Sequence, residues 1–299
     1  MGTRLPARYL AATAALCAFV QLAVACSNDP AGPLAHPSAA AGPVAHPSAA
    51  VSHLRARPPG MPASRSSASP SSRPSGRPRL VRLRSSPRAD WAVPGSVIRN
   101  LDTAPGSPYH RGEKVVALTF DDGPSPVYTP EILRILVAAR VPASFEIIGL
   151  HGAAYPGILR AEHAAGMALV NHTWTHVDLA LLPARRWPAE VDSTSRLLRG
   201  ITGHPLRCLR RPYGLGNPAV DVRLRVRGLA DLGWDVDPAD YLKPGAAVIA
   251  RRVLAALHPG AIVVMHDAGG NRSGTVAALP AIIRGIRAAG YRIVPVCAG

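Results

Sequence analysis

From Lys114 onward, short apolar runs alternate with amphipathic, helix-like segments. Strands that alternate with helices pair in parallel, so the pattern predicts an α/β fold whose sheet closes, or nearly closes, into a barrel. In such a fold the chemistry gathers at the C-terminal ends of the strands. Seven runs have strand character: Val115–Phe120, Ala143–Ile148, Ala168–Asn171, Leu206–Arg210, Trp234–Asp237, Ala261–His266 and Tyr291–Val296.

Prolines and glycines bound the predicted helices. The first helix has Thr129 as its N-cap and Pro130 at its first position, which suits a residue without a backbone N–H. The last one is expected to begin near Thr275 or Pro280, since proline is disfavoured inside a helix. Between them we expect helices near residues 156–165, 188–199, 217–232 and 247–257.

Residues 1–26 have the parts of an export signal. Two arginines precede an apolar stretch from Leu10 to Val24, and Ala23-Val24-Ala25 matches the small-residue pattern of a cleavage site. Cys26 follows directly and also resembles a bacterial lipoprotein box. Plain cleavage and a lipid anchor at Cys26 are therefore both open.

Residues 27–108 are predicted to be a disordered basic linker. The segment Ala31–Ala40 is repeated ten residues later with one change, and Ser52–Arg88 is mainly Ser, Pro and Arg. Such composition cannot bury enough apolar surface to offset the entropy of ordering. The folded domain is accordingly predicted to span residues 109–299.

The positive charge is concentrated in this linker. The net charge is +16, and residues 27–100 hold ten arginines and two aspartates, a surplus of +8. A basic tail indicates an anionic surface as partner, such as cell-envelope polymers or anionic lipid. Because no aromatic residue lies among the arginines from Arg55 to Arg88, stacking on nucleic-acid bases has no support.

Two of the four cysteines lie in the predicted folded domain, Cys208 and Cys297. An oxidising compartment would permit a bond between them. Their spacing in the sequence does not decide whether they are close.

Asp121 and Asp122 end the first predicted strand. Adjacent carboxylates repel, so such a pair is usually solvated or coordinates a cation. His172 and His176 follow the third strand four residues apart, and one helical turn would aim both at one point. Two imidazoles with Asp122 make a three-ligand divalent site with positions left for water and substrate. A simple strand-to-turn exit and a solvent-facing turn are the alternatives.

Other strands carry polar residues at the same end. Arg210 ends the fourth strand, and Asp235, Asp237 and Asp240 end the fifth. His266 ends the sixth, at the rim of the core. Asp237 could hold the second nitrogen of His266 and keep that ring protonated.

These residues resemble the polysaccharide deacetylases of the NodB-homology type, carbohydrate esterase family 4. The resemblance covers about residues 112–297 and implies a distorted (β/α)7 barrel. It is carried by five motifs in the family's order: Thr119–Pro124, His172–His176, Arg210–Gly214, Asp237–Tyr241 and Val263–His266.

The resemblance also implies residue roles. Asp121 would be the general base, oriented by Arg210, and His266 the general acid, tuned by Asp237. The metal would be held by Asp122, His172 and His176; zinc is common in the family, and cobalt or nickel can serve. Tyr213 would offer its backbone N–H to the oxyanion. The expected substrate contacts are Pro212, Tyr213, Tyr241, Val263 and Met265.

The chain departs from the family pattern at several places. Tyr241 stands where the family usually has Trp, and Val263 and Met265 stand where it has Leu. Glu146 lies in the second strand, where the family tends to have an aromatic residue. A buried acid is costly unless paired. We therefore expect Glu146 to point to the barrel mouth or to meet an arginine.

Together these features predict an exported, metal-dependent enzyme that removes N-acetyl groups from a glycan, with peptidoglycan first and chitin-like polymers next. An O-acetyl xylan esterase is one alternative, and a non-catalytic glycan-binding wall protein is another. The protein is expected to be a monomer without nucleic-acid partners. It would be secreted or attached to the outer face of the cell membrane.

Overall fold

The computed structural model describes residues 91–298, which form an α/β domain. The predicted signal peptide, Cys26 and residues 27–90 of the predicted linker lie outside these residues. The strands are β1 Val97–Ile98, β2 Val115–Asp121, β3 Ser144–Ile147, β4 Ala168–Asn171, β5 Cys208–Leu209, β6 Ala230–Leu232, β7 Ala261–His266 and β8 Arg292–Ile293. The helices are α1 Tyr128–Ala139, α2 Gly149–Ala154, α3 Pro156–Ala164, α4 Ser193–Thr202, α5 Pro218–Arg225, α6 Ala246–Ala255 and α7 Ser273–Ala288.

The strands of this part of the chain pair in parallel, in the order β1-β6-β5-β4-β3-β2-β7, and β8 pairs with the start of β2. A single bridge between Val236 and Val263 joins the loop after β6 to β7, with Val264 N donating to Val236 O at 3.0 Å. The bridge links the loop after β6 to β7, so the curled sheet nearly closes on itself. The fold is therefore a distorted (β/α) barrel, as the sequence predicts.

Alternate residues of β2 face two different cores. Val116, Leu118 and Phe120 pack with the helices outside the barrel, while Val115 and Ala117 pack with interior residues of the other strands. All seven residues of β2 are buried, which explains the continuous apolar run in its sequence. The interior row ends in Thr119 and Asp121, so the last inward-facing side chain of β2 is a carboxylate.

Two predicted boundaries are wrong. The sixth strand of the barrel is Ala230–Leu232, and the predicted run Trp234–Asp237 contributes only the bridge at Val236. Residues 91–108 were predicted to be disordered linker, yet they contain β1, and the Ile98 and Leu101 side chains are fully buried. β1 covers the free edge of β6, a tertiary contact that two strand residues cannot signal in a sequence.

Six helices follow the predicted pattern with shifts at their ends, while α2 was not predicted. α1 begins at Tyr128, so Thr129 is not its N-cap. The helix predicted at residues 217–232 ends at Arg225, because Ala230–Leu232 form β6.

α5 has Asn217 as its N-cap, and the Asn217 side chain accepts a hydrogen bond from Val220 N. α7 begins earlier than predicted and continues through Pro280. Burial of its apolar face, which includes Leu279 and Ile282, outweighs the hydrogen bond that proline removes. No helix within residues 91–298 is long and apolar enough to cross a membrane.

A disulfide joins Cys208 in β5 to Cys297 near the C-terminus, across a sequence separation of 89 residues. Both side chains are buried in the barrel interior, beside Val170 and Val296. The bond therefore ties the C-terminal segment to the middle of the sheet.

We predict that replacing both Cys208 and Cys297 with Ala lowers the free energy of unfolding by about 2–4 kcal/mol, because a long closed loop restricts the unfolded chain. Urea unfolding of wild type and variant measures the difference. When the wild type is unfolded in the presence of a reductant, its free energy of unfolding should fall by a similar amount. An unchanged midpoint under reducing conditions would show that the bond contributes nothing to stability.

Candidate active site

A cavity of about 400 Å³ opens at the C-terminal ends of the strands. It lies beside the end of β2, where Asp121 pairs in register with His266 of β7 on one side and with Glu146 of β3 on the other. The cavity is lined by Asp121, Asp122, His172, His176, Tyr213, Trp234, Asp237, Tyr241, Val264, His266 and Arg272.

The predicted metal ligands meet at this cavity. His176 Nε2 lies 3.3 Å and His172 Nε2 3.7 Å from the same oxygen, Asp122 Oδ1. One ligand atom from each of the three residues lies within 4.8 Å of the others. Asp122 and His176 both have positive φ, 77° and 61°, a conformation uncommon outside glycine. The helical turn expected at residues 172–176 is wrong, since both histidines lie in the non-helical loop that follows β4.

The three side chains fit a divalent cation. His172 Nδ1 lies 2.9 Å from the Arg210 carbonyl oxygen, which can only accept, so Nδ1 carries the proton and Nε2 presents a lone pair. Burial, with the neighbouring His172, lowers the pKa of His176 and favours its neutral form. Asp122 Oδ1 is buried and has no hydrogen-bond partner among the described residues. One carboxylate and two imidazoles are donors that zinc accepts, and cobalt or nickel also accept imidazole.

Asp121 is held by Arg210 at the floor of the cavity. Arg210 Nη1 donates to Asp121 Oδ1 at 2.6 Å and to Thr119 Oγ1 at 2.7 Å. The guanidinium also donates to Leu232 O and Gly233 O, and its side chain is fully buried. Burial alone would raise the pKa of Asp121, but the Arg210 charge and the nearby imidazoles outweigh it and lower that pKa. Asp121 is therefore an ionised carboxylate.

Glu146 completes this buried network and meets an arginine, one of the two outcomes expected from the sequence. Its Oε2 accepts a hydrogen bond from Phe120 N at 3.0 Å and lies 3.5 Å from Arg210 Nη1. Burial and the neighbouring Asp121 raise the pKa of Glu146 well above its ordinary value, despite Arg210. One guanidinium thus faces an ionised carboxylate and a carboxyl group whose burial favours the neutral form.

The partner of His266 is Asp240, and the prediction of Asp237 is wrong. His266 Nδ1 lies 2.7 Å from Asp240 Oδ1, and Asp240 Oδ2 accepts from His266 N and Thr275 Oγ1. The Asp237 side chain instead accepts from Ala239 N. Ala239 has φ 53°, and the tight turn that follows directs Asp240 inward. Burial would lower the pKa of His266, but the Asp240 hydrogen bond and the nearby Asp121 charge raise it.

The Asp-Asp-Gly turn rests on Asp267. The Asp267 carboxyl accepts a hydrogen bond from Thr129 Oγ1, and its backbone N–H donates to Asp121 O at 3.1 Å. A Cβ at Gly123 would lie 2.3 Å from Asp267 Oδ2, so the close approach requires glycine. Burial raises the pKa of Asp267 to about 8. This packing holds Asp121 and Asp122 at the cavity.

Three of the predicted substrate contacts lie elsewhere. Val263 and Met265 are fully buried in the core against the helices, and Val264 lines the cavity in their place. Side chains alternate along a strand, so the residue two before His266 shares its face. This alternation is visible in the sequence and could have been used to predict Val264 as the lining residue. Pro212 is also buried and does not line the cavity.

Two of the predicted substrate contacts, Tyr213 and Tyr241, line the cavity and place their rings at its rim. The Tyr213 ring lies 4.6 Å from the His176 ring, and the Tyr241 ring 5.6 Å from the His266 ring. Both tyrosines are partly exposed. Trp234 and Arg272 also line the cavity and were missed, because only the tertiary fold brings their loops to the strand ends.

Comparison with known proteins agrees with this geometry. The family model described as "Polysaccharide deacetylase" matches residues 109–230. A chitooligosaccharide deacetylase of Bradyrhizobium is 39% identical over 196 residues, which cover 62% of this chain and 90% of that protein. A peptidoglycan-N-acetylglucosamine deacetylase of Bacillus cereus is 30% identical over 218 residues, covering 72% of this chain and 77% of that protein.

A solved structure supports the same relationship. The family 4 carbohydrate esterase from Streptomyces lividans, in complex with acetate, superposes with a TM-score of 0.56 at 31% identity, covering 62% of this chain and 92% of that one. The strand ends of the barrel, the aspartate–histidine cluster and these sequence relatives all agree. The chain therefore belongs to the polysaccharide deacetylase family, as a hydrolase with the NodB homology domain of carbohydrate esterase family 4.

Proposed function

We propose that this protein is an exported, metal-dependent enzyme that hydrolyses N-acetyl groups on a glycan of N-acetylglucosamine and releases acetate. One observation carries the proposal: a cation-binding cluster, a buried carboxylate and a further histidine converge on one cavity. Asp122, His172 and His176 form the cluster, and Asp121 and His266 stand opposite each other on β2 and β7. Amide hydrolysis requires an activated water, a base for it and an acid for the amine.

Asp121 is proposed as the general base. Its Oδ1 is occupied by Arg210, while Oδ2 faces the metal cluster, 3.9 Å from His172 Nε2. The lowered pKa keeps Asp121 ionised, so that it can accept the proton that a water molecule loses as it attacks the acetyl carbon. A divalent cation bound by the three ligands would polarise the acetyl carbonyl and lower the pKa of that water.

His266 is proposed as the general acid. An amine leaves poorly unless it is protonated, and the raised pKa of His266 favours the charged ring that can donate this proton. Asp240 fixes Nδ1, which leaves Nε2 as the atom that donates the proton to the amine nitrogen. Tyr213, held at φ 61° on the rim, is proposed to offer its backbone N–H to the developing oxyanion.

The relatives support the substrate class. They are named as deacetylases of chitooligosaccharides and of peptidoglycan, so we propose peptidoglycan or a chitin-like polymer here. We propose that the protein acts as a monomer outside the cell membrane, secreted or anchored at Cys26, with its basic N-terminal region against an anionic envelope. The Cys208–Cys297 disulfide supports this location, because such bonds persist in oxidising compartments.

Acetate release tests the proposal. We expect the protein to release acetate from glycol chitin and from peptidoglycan, to lose this activity after dialysis against a chelator, and to regain it with Zn²⁺, Co²⁺ or Ni²⁺. Acetylated xylan in the same panel tests ester hydrolysis. Glycan binding that persists in chelator without any acetate release would overturn the proposal in favour of a binding protein.

We predict that Asp121→Asn lowers kcat by about 10²–10⁴-fold, the range that a general base contributes. Because the three proposed ligands remain, the variant should still bind one metal ion per chain, measured by mass spectrometry of the metal. In this variant the buried Arg210 loses its charged partner. Circular dichroism checks that the variant is still folded. Appreciable turnover by a folded, metal-loaded variant would remove Asp121 from the role of base.

We predict that Asp240→Asn moves the alkaline limb of the kcat/KM profile to lower pH. The general acid works only below its own pKa, and loss of the Asp240 charge lowers the pKa of His266. The matched control is Asp237→Asn, whose side chain bonds only Ala239 N among the described residues. That control should leave the limb in place. Equal shifts in both variants would contradict the assignment of Asp240.

A further inference from the structure

A second cavity adjoins the proposed active site. It measures about 240 Å³ and shares two walls, the Tyr213 and Trp234 rings, with the first. Its other side chains include two arginines, Arg99 and Arg211, and one carboxylate, Asp231. Because the cavities share walls, one extended ligand can occupy both, with neighbouring units on either side of the two rings.

Arg211 and Asp231 are already paired. Arg211 Nη2 donates to Asp221 Oδ1, and Arg211 Nε lies 3.0 Å from Asp231 Oδ2. Both Arg211 and Asp231 are largely buried, with exposures of 8% and 7%. The Arg211 charge therefore belongs to the fold, and two carboxylates compensate it.

Arg99 differs from Arg211. It is exposed, and its guanidinium makes no hydrogen bond or close ion pair with any residue between 91 and 298. Its donors therefore remain available at the cavity, since an arginine carries five N–H groups in a planar fork that matches a carboxylate. Arg99 follows β1 and precedes the segment matched by the family model, residues 109–230.

Two glycines leave space for this arrangement. The Arg99 side chain crosses Gly233, where a Cβ would lie 3.0 Å from Arg99 Cγ. Gly214 has φ +67°, and a Cβ there would lie 2.8 Å from the Trp234 ring. Side chains at either position would push Arg99 or Trp234 from its place in the wall.

We propose that this cavity binds a carboxylate carried by the sugar next to the one that is deacetylated, and that Arg99 is the residue that selects for it. The inference rests on the proposed function and narrows its substrate class. A glycan with a free carboxylate on alternate sugars, as in peptidoglycan strands without peptides, carries such a group beside each N-acetylglucosamine. A chitin-like polymer carries none.

Three substrates of equal length test the inference: a peptide-free peptidoglycan oligomer with free carboxylates, its methyl ester and a neutral chitin oligomer. For Arg99→Gln we expect KM to rise about tenfold on the carboxylate oligomer with kcat unchanged, the size of one charge-assisted hydrogen bond. KM on the two neutral oligomers should not change. Arg99→Lys, which keeps the charge and loses the fork, should lie between.

The matched control is Arg284→Gln. Arg284 is an exposed arginine on α7 that lines neither cavity, and its removal changes the net charge equally. It should leave all three KM values unchanged. In the wild type, the preference for the carboxylate oligomer over its ester should shrink as salt is added.

Calorimetric binding of the same oligomers separates this inference from the proposed function, because it does not require turnover. Wild type that binds the carboxylate oligomer more tightly than Arg99→Gln does supports the subsite even without acetate release. Equal affinity and equal KM in the two proteins overturn the subsite and leave the deacetylase proposal intact. A uniform loss on all three oligomers also overturns it, since Arg99 would then not discriminate carboxylates.

Discussion

The buried guanidinium of Arg210 is the group on which the site depends. It lies inside the barrel, fully removed from solvent, and bonds Thr119, Asp121 and the carbonyls of Leu232 and Gly233. A charge in such a place is costly unless paired and hydrogen-bonded. These partners satisfy Arg210 and, in doing so, join the end of β2 to the end of β6 and orient Asp121 toward the cavity.

The same charge separates the tasks of neighbouring acids. Asp121 and Asp122 are adjacent in sequence, yet one faces Arg210 and the other faces two imidazoles. Glu146 lies against the same guanidinium, where burial favours its neutral form. Three neighbouring carboxyl groups, two at the end of β2 and one in β3, thus have three different environments. We propose that Asp121 acts as a general base, Asp122 as a cation ligand and Glu146 as a neutral hydrogen-bonding group.

The pairing register of β2 and β7 fixes the positions of the proposed base and acid relative to each other. Asp121 is paired with His266 across β2 and β7, so the proposed base and acid stand side by side at the same level of the sheet. Asp240 reaches His266 from a turn outside the sheet. A second cavity shares Tyr213 and Trp234 with the first and includes Arg99, a residue that precedes β2.

Local pattern in the sequence was sufficient for the alternation of strands and helices, for β4 and β7, and for naming Asp122, His172 and His176 as candidate ligands, because strand periods and polar residues at strand ends depend on neighbours in the chain. How the three ligands converge was not predictable in this way, since Asp122 and His176 adopt left-handed backbone and residues 172–176 form a loop in place of the expected helical turn. Contacts between distant segments decided the rest. The pairing of Asp240 with His266, the covering of β6 by β1 and the exposure of Arg99 at a second cavity depend on backbone turns and packing. A short window of sequence encodes neither these turns nor this packing. Left-handed residues such as Ala239 keep their conformation only because the folded surroundings hold them.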